Sequence, residues 1–572
     1  MSAAALFPVN GAVAAQPDTM LQITFNAPPT LGTTGKISVF NATTNVLVDS
    51  IDISGAPTKT TNETYGTGGT GFSETDTEVD ALAAGVTTLS GSARNVYYTP
   101  VTISGNTATI HLHDGKLSPG TRYYVTVDST VFSGTQGSFS SFSSATAPAW
   151  TFTTGPLPTL TVSNTVPANA PSGTTGSVSV TVDASGNGNF NTVQGALDWL
   201  MQNCNTGISG AACTSSSVIK TITVDKGAYN ELLFVRNMNN LTITGSTSSA
   251  ADTTVSANNF ESYNPGSGGS NTAAGTSNTT EGAVTRRALG GGRSVFLMEG
   301  SDLLTLRNFT LQNSHVKQSS YNNQAETLYF NNTKTNGGRF VASHMQFLSA
   351  QDTIQTKGWA YFYDDYIAGD VDFLWGNAYA AMFDHSELHT VYDVTAPTTG
   401  GYVIQARAYT GYVNTSTSAF IQTPGFVVSN STLTADSNVP AGSTFLARAG
   451  GAEINCTLPA AASAQGSGCD DVAYVDTQIG AHISAGGWLG AAEGASGTEL
   501  DVSPSTGQTE MAGWREWGSM NSTGGTLSLS GRDTTVGTDT VALTGGTAAL
   551  DLTNPSVVFA GWNNGAGWTP TP

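Results

Sequence analysis

The sequence predicts an all-β protein in which a β-sandwich precedes a long right-handed parallel β-helix. Glycine supplies 66 of the 572 residues, and this composition favours many short strands joined by tight turns. Hydrophobic residues reach 38% whereas charged residues amount to only 11%, so the chain can build a large core. A regular apolar pattern in its second half indicates a solenoid, which adds coils without thickening its core.

The first 157 residues have the pattern of a β-sandwich. Period-two alternation of apolar and polar residues predicts strands within residues 20–25, 36–40, 107–112 and 122–127. Residues 117–125, together with the ending Trp-Thr-Phe-Thr-Thr at 150–154, resemble the bacterial Ig-like modules that accompany secreted enzymes and surface proteins. An Ig-like β-sandwich is therefore expected over residues 1–157.

Residues 158–177 are rich in Pro, Gly, Ser and Thr and predict a linker, which leaves residues 178–572 for the solenoid. A linker of this composition normally lets two domains fold independently. We therefore expect the sandwich to be dispensable for the chemistry of the solenoid.

The solenoid is predicted from a recurring pair of apolar residues five positions apart. The pairs are Leu306 and Leu311, Phe340 and Met345, Phe362 and Ile367, Phe383 and Leu388, and Val428 and Leu433. The pairs that begin at 340, 362 and 383 follow one another after 22 and 21 residues, which fits one coil of a parallel β-helix. A set of unrelated sandwich strands is the alternative.

One helix is predicted where the solenoid begins. Within residues 190–201, Val193, Ala196, Leu197 and Leu200 fall on one face of a helix. Such a helix can close the open end of a solenoid core.

Charge and cysteine content restrict the partners and the compartment. The net charge of −21 opposes binding to nucleic acid or to an anionic membrane, and no apolar run approaches the length of a membrane span. The four cysteines form two local pairs, Cys204 with Cys213 and Cys456 with Cys469. This pattern favours two short disulfide loops in an exported protein, and four buried free thiols are the alternative.

Coil stacking brings two acids together. Asp352 follows Phe340 by 12 residues and Asp372 follows Phe362 by 10, so the two carboxylates are expected on adjacent coils. Close carboxylates separate their pKa values, which provides one proton donor and one anionic nucleophile. For either aspartate taken alone, a solvated turn residue is the alternative.

Three further polar side chains are expected near this acid pair. Gln324 and Gln351 fall in the same part of the solenoid and offer amide donors for an oxyanion. Arg448 lies in a Gly-rich setting that allows its guanidinium to approach a carboxylate.

Two motifs around these acids resemble a known family. Gln-Asp-Thr at 351–353 and Gly-Asp-Val-Asp-Phe-Leu-Trp-Gly-Asn-Ala at 369–378 are similar, in order and spacing, to the paired signature of pectin methylesterases. Further similar motifs occupy residues 183–194, 226–231, 324–328 and 480–488. The resemblance covers about residues 178 to 520 and implies a carbohydrate esterase on a right-handed β-helix.

The resemblance implies a role for each candidate residue. Asp372 would attack the methyl-ester carbonyl of a galacturonosyl unit to form an acyl-enzyme. Asp352 would donate a proton to the leaving methoxide and then activate water. Gln324 and Gln351 would stabilise the oxyanion, and Arg448 would keep Asp372 ionised. No metal or other cofactor is implied.

The resemblance also implies the partners of the protein. The expected substrate is methyl-esterified pectin or its oligogalacturonides, handled by a monomer that is secreted or periplasmic. Trp375 and Trp488 are expected to stack on sugar rings, with buried packing as the alternative for Trp375.

Three segments depart from the family pattern. Residues 447–450 read Ala-Arg-Ala-Gly, which keeps the arginine but lacks the tryptophan of the family. Residues 248–292 form a longer insertion than usual, which is expected beside the groove. The segment after Gly524 matches no known motif and is expected to add strands that cover the solenoid.

Other functions stay open at this point. A pectate lyase would use the same fold, but it needs calcium held by clustered acids and a basic residue that abstracts a proton. A carbohydrate-binding or adhesion protein that has lost catalysis is a second alternative. An esterase acting on another ester or on a thioester is a third.

Overall fold

A computed structural model describes most of the chain. The described residues are 2–53, 74–79, 93–135, 137–139, 141–142, 150–168, 170–207, 213–267, 278–281, 284–287, 292–319, 321–407, 411–449, 471–489, 514–532 and 550–572. Within these ranges, no helix is long and apolar enough to cross a membrane.

The N-terminal region contains two main sheets that share one core. In spatial order, the first sheet has strands Ala3–Phe7, Leu21–Phe25, Thr107–Ile110 and Val101–Ser104, and the second has Ala12–Ala15, Thr151–Thr154, Arg122–Val127, Lys36–Asn41 and Leu47–Asp52. Ile23 of the first sheet and Val39 and Val125 of the second pack into one core with Trp150. This arrangement confirms the predicted β-sandwich.

Smaller pairings complete this region. Strands Gly137–Ser138, Phe132–Gly134 and Thr30–Leu31 form a third sheet, and Glu74–Val79 pairs with Ala93–Tyr98 in an antiparallel hairpin.

The second region is a solenoid of three parallel sheets, which we call sheets A, B and C. Sheet A has strands Gly176–Val182, Val218–Val224, Asn239–Gly245, Asp302–Arg307, Arg339–Ser343, Gly358–Tyr363, Ala378–Asp384, Gly425–Ser429, Val472–Val475 and Trp514–Trp517. Sheet B has Gly227–Asn230, Thr253–Ala257, Thr310–Asn313, Gln346–Leu348, Tyr366–Gly369, Glu387–Thr390, Thr432–Ala435, Gln478–Ile479 and Met520–Asn521. Sheet C has Leu233–Arg236, Phe296–Glu299, Leu328–Asn331, Ile354–Thr356, Val371–Gly376, Tyr402–Ala406, Phe445–Ala449 and Trp488–Leu489.

The chain visits the three sheets in turn, and each strand pairs in parallel with the equivalent strand of the next coil. The predicted parallel β-helix is thereby confirmed. Antiparallel hairpins project from it at Asn278–Glu281 with Val284–Arg287 and at Gly411–Val413 with Phe420–Gln422.

The predicted apolar repeat is wrong at one of its five members. In sheet A, Leu306 pairs with Ala342, and Ala342 pairs with Phe362. Phe340 instead pairs with Ala360, two residues earlier in the coil. Both Phe340 and Ala342 face the core, but the small Ala342 occupies the position equivalent to Leu306 and Phe362, so the apolar pattern points to the larger Phe340 instead.

The predicted entry helix spans Val193–Cys204, and its apolar face is buried in the solenoid core. Thr192 caps its first turn by accepting a hydrogen bond from the backbone N of Gly195 at 3.0 Å. The predicted disulfide between Cys204 and Cys213 is present at the end of this helix. The other predicted pair, Cys456 with Cys469, lies outside the described residues.

Two predictions about peripheral segments need correction. Thr253–Ala257 is a regular strand of sheet B, preceded by a 3₁₀ turn at Ala250–Asp252, so the insertion begins later than residue 248. In the described part of the C-terminal segment, residues 550–572 form short helical turns at Pro555–Val558 and Trp562–Gly565 and no strand, whereas residues 533–549 lie outside the described ranges. Phe559 packs there against Tyr361 on the outer face of sheet A.

Hydrogen bonds connect the N-terminal region to the solenoid. Asp18 Oδ2 accepts from the backbone N of Thr192 at 2.7 Å, where the entry helix begins. Arg94, only 1% exposed, donates to the carbonyl oxygens of Leu233 and Ser294 at 2.7 and 2.5 Å. The sandwich therefore contacts the solenoid directly as well as through the linker.

Candidate active site

Asp352 and Asp372 occupy equivalent positions on neighbouring coils. In sheet C, Ile354 pairs with Leu374. Asp352 lies two residues before Ile354, and Asp372 lies two residues before Leu374. The backbone N of Asp352 also donates to the carbonyl oxygen of Val371 at 3.0 Å. The predicted stacking of the two acids follows directly from this register.

The sheet register also explains why Asp352 follows Phe340 by 12 residues whereas Asp372 follows Phe362 by only 10. Because Phe340 pairs with Ala360, each aspartate follows its own member of that pair by the same 12 residues. Both aspartates have left-handed backbone angles, with φ of 62° at Asp352 and 51° at Asp372. Aspartate is one of the few non-glycine residues that adopt this conformation readily.

Hydroxyl side chains link successive coils near the two aspartates, and a glycine allows close packing there. Thr353 Oγ1 donates to the carbonyl oxygen of Ala368 at 2.8 Å, and Thr327 Oγ1 donates to that of Thr353 at 2.9 Å. Gly369 allows close packing, because a Cβ there would lie 2.2 Å from the Cβ of Phe373. These contacts hold the backbone next to Asp352 and Asp372 in place.

Asp372 is held by a guanidinium and an amide. Arg448 Nε donates to Asp372 Oδ1 at 2.8 Å, and Arg448 Nη2 contacts Oδ2. Gln405 Nε2 also donates to Oδ2, at 2.9 Å. Burial raises the pKa of Asp372, while the hydrogen bonds and charge of Arg448, and the charges of Arg407 and Lys317, act to lower it. The predicted approach of Arg448 to a carboxylate is observed.

Gln405 was not predicted, although the sheet register explains its place. In sheet C, Trp375 pairs with Gln405, and Gln405 pairs with Arg448. Gln405 thus lies on the coil between Asp372 and Arg448, from which its amide reaches the same carboxylate. The sequence carries no motif for this residue, and only the sheet register identifies it.

Asp352 shares a buried cation with two other carboxylates. Arg293 Nη2 donates to Asp352 Oδ2 at 3.0 Å, Arg293 Nη1 to Glu261 at 2.6 Å, and Arg293 Nε to both carboxylate oxygens of Glu326 at 2.8 and 3.0 Å. Burial raises the pKa of Asp352 well above its usual value; Arg293 opposes this shift, and the charges of Glu326 and Asp372 increase it. A raised pKa is what a proton donor requires.

Arg293, Glu326 and Glu261 were all missed by sequence reasoning. Glu326 stands inside the quoted motif at 324–328, and Arg293 is one of only 20 basic residues, so both carried a weak signal. Glu261 lies within the predicted insertion, and no pattern connects it with residue 352.

Gln324 and Gln351 come together as neighbours on successive coils. They form an isolated parallel β-bridge, and both side chains are partly exposed. Gln324 Oε1 has no hydrogen-bond partner within the described ranges. Gln351 directly precedes Asp352 in the chain, and Gln324 pairs with Gln351 from the neighbouring coil. This position beside Asp352 suits the predicted role of both side chains as amide donors.

The two predicted aromatic platforms differ in their surroundings. Trp375 is 7% exposed, and the guanidinium groups of Arg293 and Arg407 lie 5.7 and 5.6 Å from its ring centroid. Trp488 is only 1% exposed and packs in the core beside Tyr474 and Trp514. A ring buried in this way has no free face for a sugar, so the predicted sugar contact at Trp488 is wrong.

A second ion cluster supports the strand that carries Asp372. Lys317, 8% exposed, donates to Asp370 at 3.0 Å and to Asp393 at 2.5 Å. Burial raises the pKa of Asp370 to about 6, although Lys317 opposes this shift. This cluster was not predicted, and it anchors the residue two positions before the nucleophile candidate.

The fold and the site together define a parallel β-helix protein with two carboxylates on neighbouring coils, one fixed by an arginine and one in an acid-rich environment. No protein-family model matches the chain. A curated pectinesterase from Ralstonia solanacearum is 28% identical over 325 residues, covering 55% of this chain and 74% of the relative. The similarity to pectin methylesterases that the motifs indicate is thereby confirmed.

Solved pectin methylesterase structures are also similar to this chain. The pectin methylesterase PemA from Erwinia chrysanthemi is 19% identical, with a TM-score of 0.43 and coverage of 64% of this chain and 93% of that chain. The pectin methylesterase from carrot is 18% identical, with a TM-score of 0.40 and coverage of 62% and 85%.

Proposed function

We propose that this protein is a pectinesterase, which hydrolyses the methyl esters of galacturonan to give methanol and pectate through an aspartyl acyl-enzyme. The observation that carries the proposal is that two aspartates on neighbouring coils have different hydrogen-bond partners. Asp372 receives three hydrogen bonds from Arg448 and Gln405, whereas Asp352 shares one guanidinium with two more carboxylates. One acid is thus suited to remain ionised and the other to hold a proton. The curated pectinesterase relative adds independent support.

In the first half of the reaction, a carboxylate oxygen of Asp372 attacks the carbonyl carbon of the methyl ester. The tetrahedral intermediate collapses as the bond to the methoxy oxygen breaks, and Asp352 transfers its proton to that oxygen so that methanol leaves. The galacturonosyl group then remains attached to Asp372 as a mixed anhydride.

In the second half, the now ionised Asp352 takes a proton from a water molecule, whose oxygen attacks the carbonyl carbon derived from the substrate ester. Collapse breaks the anhydride bond and releases the Asp372 carboxylate and galacturonic acid, which then loses its proton to solvent, while Asp352 keeps the proton taken from water. Gln324 and Gln351 stabilise the oxyanion in both halves, each donor of this kind being worth about 3 kcal/mol of barrier in other acyl-transfer enzymes.

The proposal also includes the compartment, the preferred form of the polymer and the oligomeric state. The disulfide between Cys204 and Cys213 is typical of oxidising compartments, so we place the protein outside the cytoplasm, secreted or periplasmic. The acidic chain, at −21, favours the nearly neutral esterified polymer over its anionic product. We expect it to act as a monomer on the polymer or on its oligomers.

The test is methanol release from highly methylated pectin by the full chain, with Asp372→Asn as the background control. We expect methanol and new carboxylates in equal amounts, and no loss of rate with a chelator. Unsaturated products that require calcium would instead assign the protein to the lyases. Binding of pectin with no methanol released would favour the binding-protein alternative, and hydrolysis confined to other esters or thioesters would favour a divergent esterase.

A further inference from the structure

Arg293 is a buried cation that contacts more acids than it can neutralise. Its guanidinium, with the side chain 10% exposed, meets the carboxylates of Glu261, Glu326 and Asp352. Glu326 is fully buried, and Asp352 is 6% exposed. If all four groups were ionised, this small volume would hold three negative charges against one positive charge, which is costly away from water. At least one carboxyl of the cluster therefore favours the protonated form.

The geometry distinguishes the members of this cluster. Glu326 accepts two hydrogen bonds from Nε, Asp352 accepts one from Nη2, and Glu261 accepts one from Nη1 at the more exposed edge of the cluster. Arg293 facing Asp352 alone would hold that carboxyl ionised and make it a poor acid. When Glu326 is ionised, its bond to Nε offsets part of the guanidinium charge, so Arg293 favours the ionised form of Asp352 less strongly than it would alone.

We propose that Glu326 and Arg293 act as a pair that lets Asp352 serve as an acid in one half of the reaction and as a base in the other. This inference rests on the proposed esterase function. Glu326 opposes the ionised form of Asp352, and Arg293 stabilises that form once the proton has gone to methoxide. Arg293 acts through its contact with Asp352 Oδ2, and Glu326 acts through Arg293. Neither residue contacts the substrate in this scheme, so both are positioning residues.

The groups that face Asp352 come from several coils. Asp372 and Glu326 raise its pKa by their charges, and Arg293 and Arg448 lower it, all against a background of burial that raises it most. Burial likewise raises the pKa of Glu326, while Arg293 acts to lower it. The two carboxyls interact through one guanidinium, so their protons are expected to titrate as a coupled pair.

The test is the pH profile of kcat/KM for Glu326→Gln, which removes the charge and nearly keeps the shape. The proton on Asp352 is needed for methanol to leave, so the rate falls as pH rises through the pKa of Asp352. Without the opposing charge of Glu326, that pKa drops, and the alkaline limb should move to lower pH by about one unit. Glu326→Asp keeps the charge and should retain the wild-type limb.

A buried arginine–glutamate pair elsewhere in the solenoid provides the matched control. Glu299 is 3% exposed and accepts from Arg236 Nε at 3.0 Å on the strand Phe296–Glu299. Glu299→Gln breaks a pair of the same kind, so it should lower thermal stability and leave the alkaline limb in place. If Glu326→Gln and Glu299→Gln lower stability alike and neither moves the limb, the role of Glu326 is only structural and the inference is wrong.

A direct titration separates this inference from the proposed function. In protein labelled with ¹³C at aspartate and glutamate carboxyls, Asp352→Asn and Glu326→Gln assign the two resonances. We expect the Asp352 signal of the wild-type protein to show two steps, one of them at the pH where Glu326 titrates. A single-step titration independent of Glu326 overturns the inference even if the protein releases methanol. Should Glu326→Gln not fold, Glu326→Asp and the wild-type titration decide the question.

Discussion

The two aspartates of the site occupy the same position on adjacent coils, yet the side chains around them differ. The Asp372 side, formed by Asp372, Arg448 and Gln405, supplies donors and one positive charge. The Asp352 side, formed by Asp352, Arg293, Glu326 and Glu261, supplies one positive charge against three acids. A solenoid repeats its backbone from coil to coil, whereas side chains that arrive from other coils give each repeated position its own chemistry.

The largest expected effect comes from the Asp372 side. Asp372→Asn is nearly isosteric and removes only the nucleophilic charge, so we expect normal folding and loss of essentially all ester hydrolysis. Methanol release by purified protein, checked for deamidation, measures this. Retention of more than about a tenth of wild-type turnover would exclude Asp372 as the nucleophile.

The second effect comes from the Asp352 side. Asp352→Asn should lower kcat/KM by at least ~100-fold, the scale of a lost general acid, and remove the alkaline limb of the pH profile. Since Arg293 keeps its contacts with Glu326 and Glu261, the cluster should still fold. An unchanged profile in a folded variant would move the acid role to another residue.

A smaller effect tests the amide on the Asp372 side. Gln405→Leu removes one of the donors to Asp372 Oδ2, and the pKa of Asp372 should rise because its ionised form loses a hydrogen bond. The nucleophile must be ionised, so the acidic limb of kcat/KM should move to higher pH, with a rate loss of about tenfold. Gln346→Leu, on sheet B, serves as the control, since Gln346 binds only Thr310 among the described side-chain contacts. An equal shift in both variants would contradict the assignment.

The smallest chemical effect is expected from the sandwich. Arg94 donates to the carbonyl of Ser294, which directly follows Arg293, so it supports the Asp352 side from outside the solenoid. Arg94→Met leaves buried carbonyl groups without this donor and should cost about 1–3 kcal/mol of folding free energy. We expect the melting temperature to fall and any change of rate to stay within about threefold. The acidic limb of the kcat/KM profile reports the ionisation of Asp372. A shift of that limb in Arg94→Met would argue against support of the Asp352 side through Ser294.

The same contact changes what we expect of truncation at the linker. The linker composition predicts that residues 1–157 are dispensable for chemistry. The hydrogen bonds of Arg94 and Asp18 with the solenoid now predict that removing residues 1–157 destabilises the remaining domain. Turnover of short methylated oligomers by a truncated chain, compared at a temperature where it is folded, separates stability from catalysis.

The predicted fold was largely correct because its signals are local. Period-two alternation predicted the sandwich, the helical spacing of apolar residues predicted the entry helix, and coil-length spacing predicted the solenoid, and all three depend on residues close together in the chain. The failure at Phe340 has a physical cause. Phe340 and Ala342 both face the core, and the residue equivalent to Leu306 and Phe362 is the small Ala342, which the bulkier Phe340 conceals in the apolar pattern. The burial of Trp488 was equally hidden, since a sequence does not show which face of a ring its neighbours cover.

The sequence by itself determined the β-helix and the stacking of Asp352 on Asp372, because residues one coil length apart in the chain lie next to each other on neighbouring coils of a regular solenoid. Only the tertiary structure decided the charge around each acid. Arg293 reaches Asp352 across 59 residues, and Gln405 reaches Asp372 across 33. Such partners meet because the coils stack, and in a buried site the free energy of each charge depends on those neighbours more than on the residue itself.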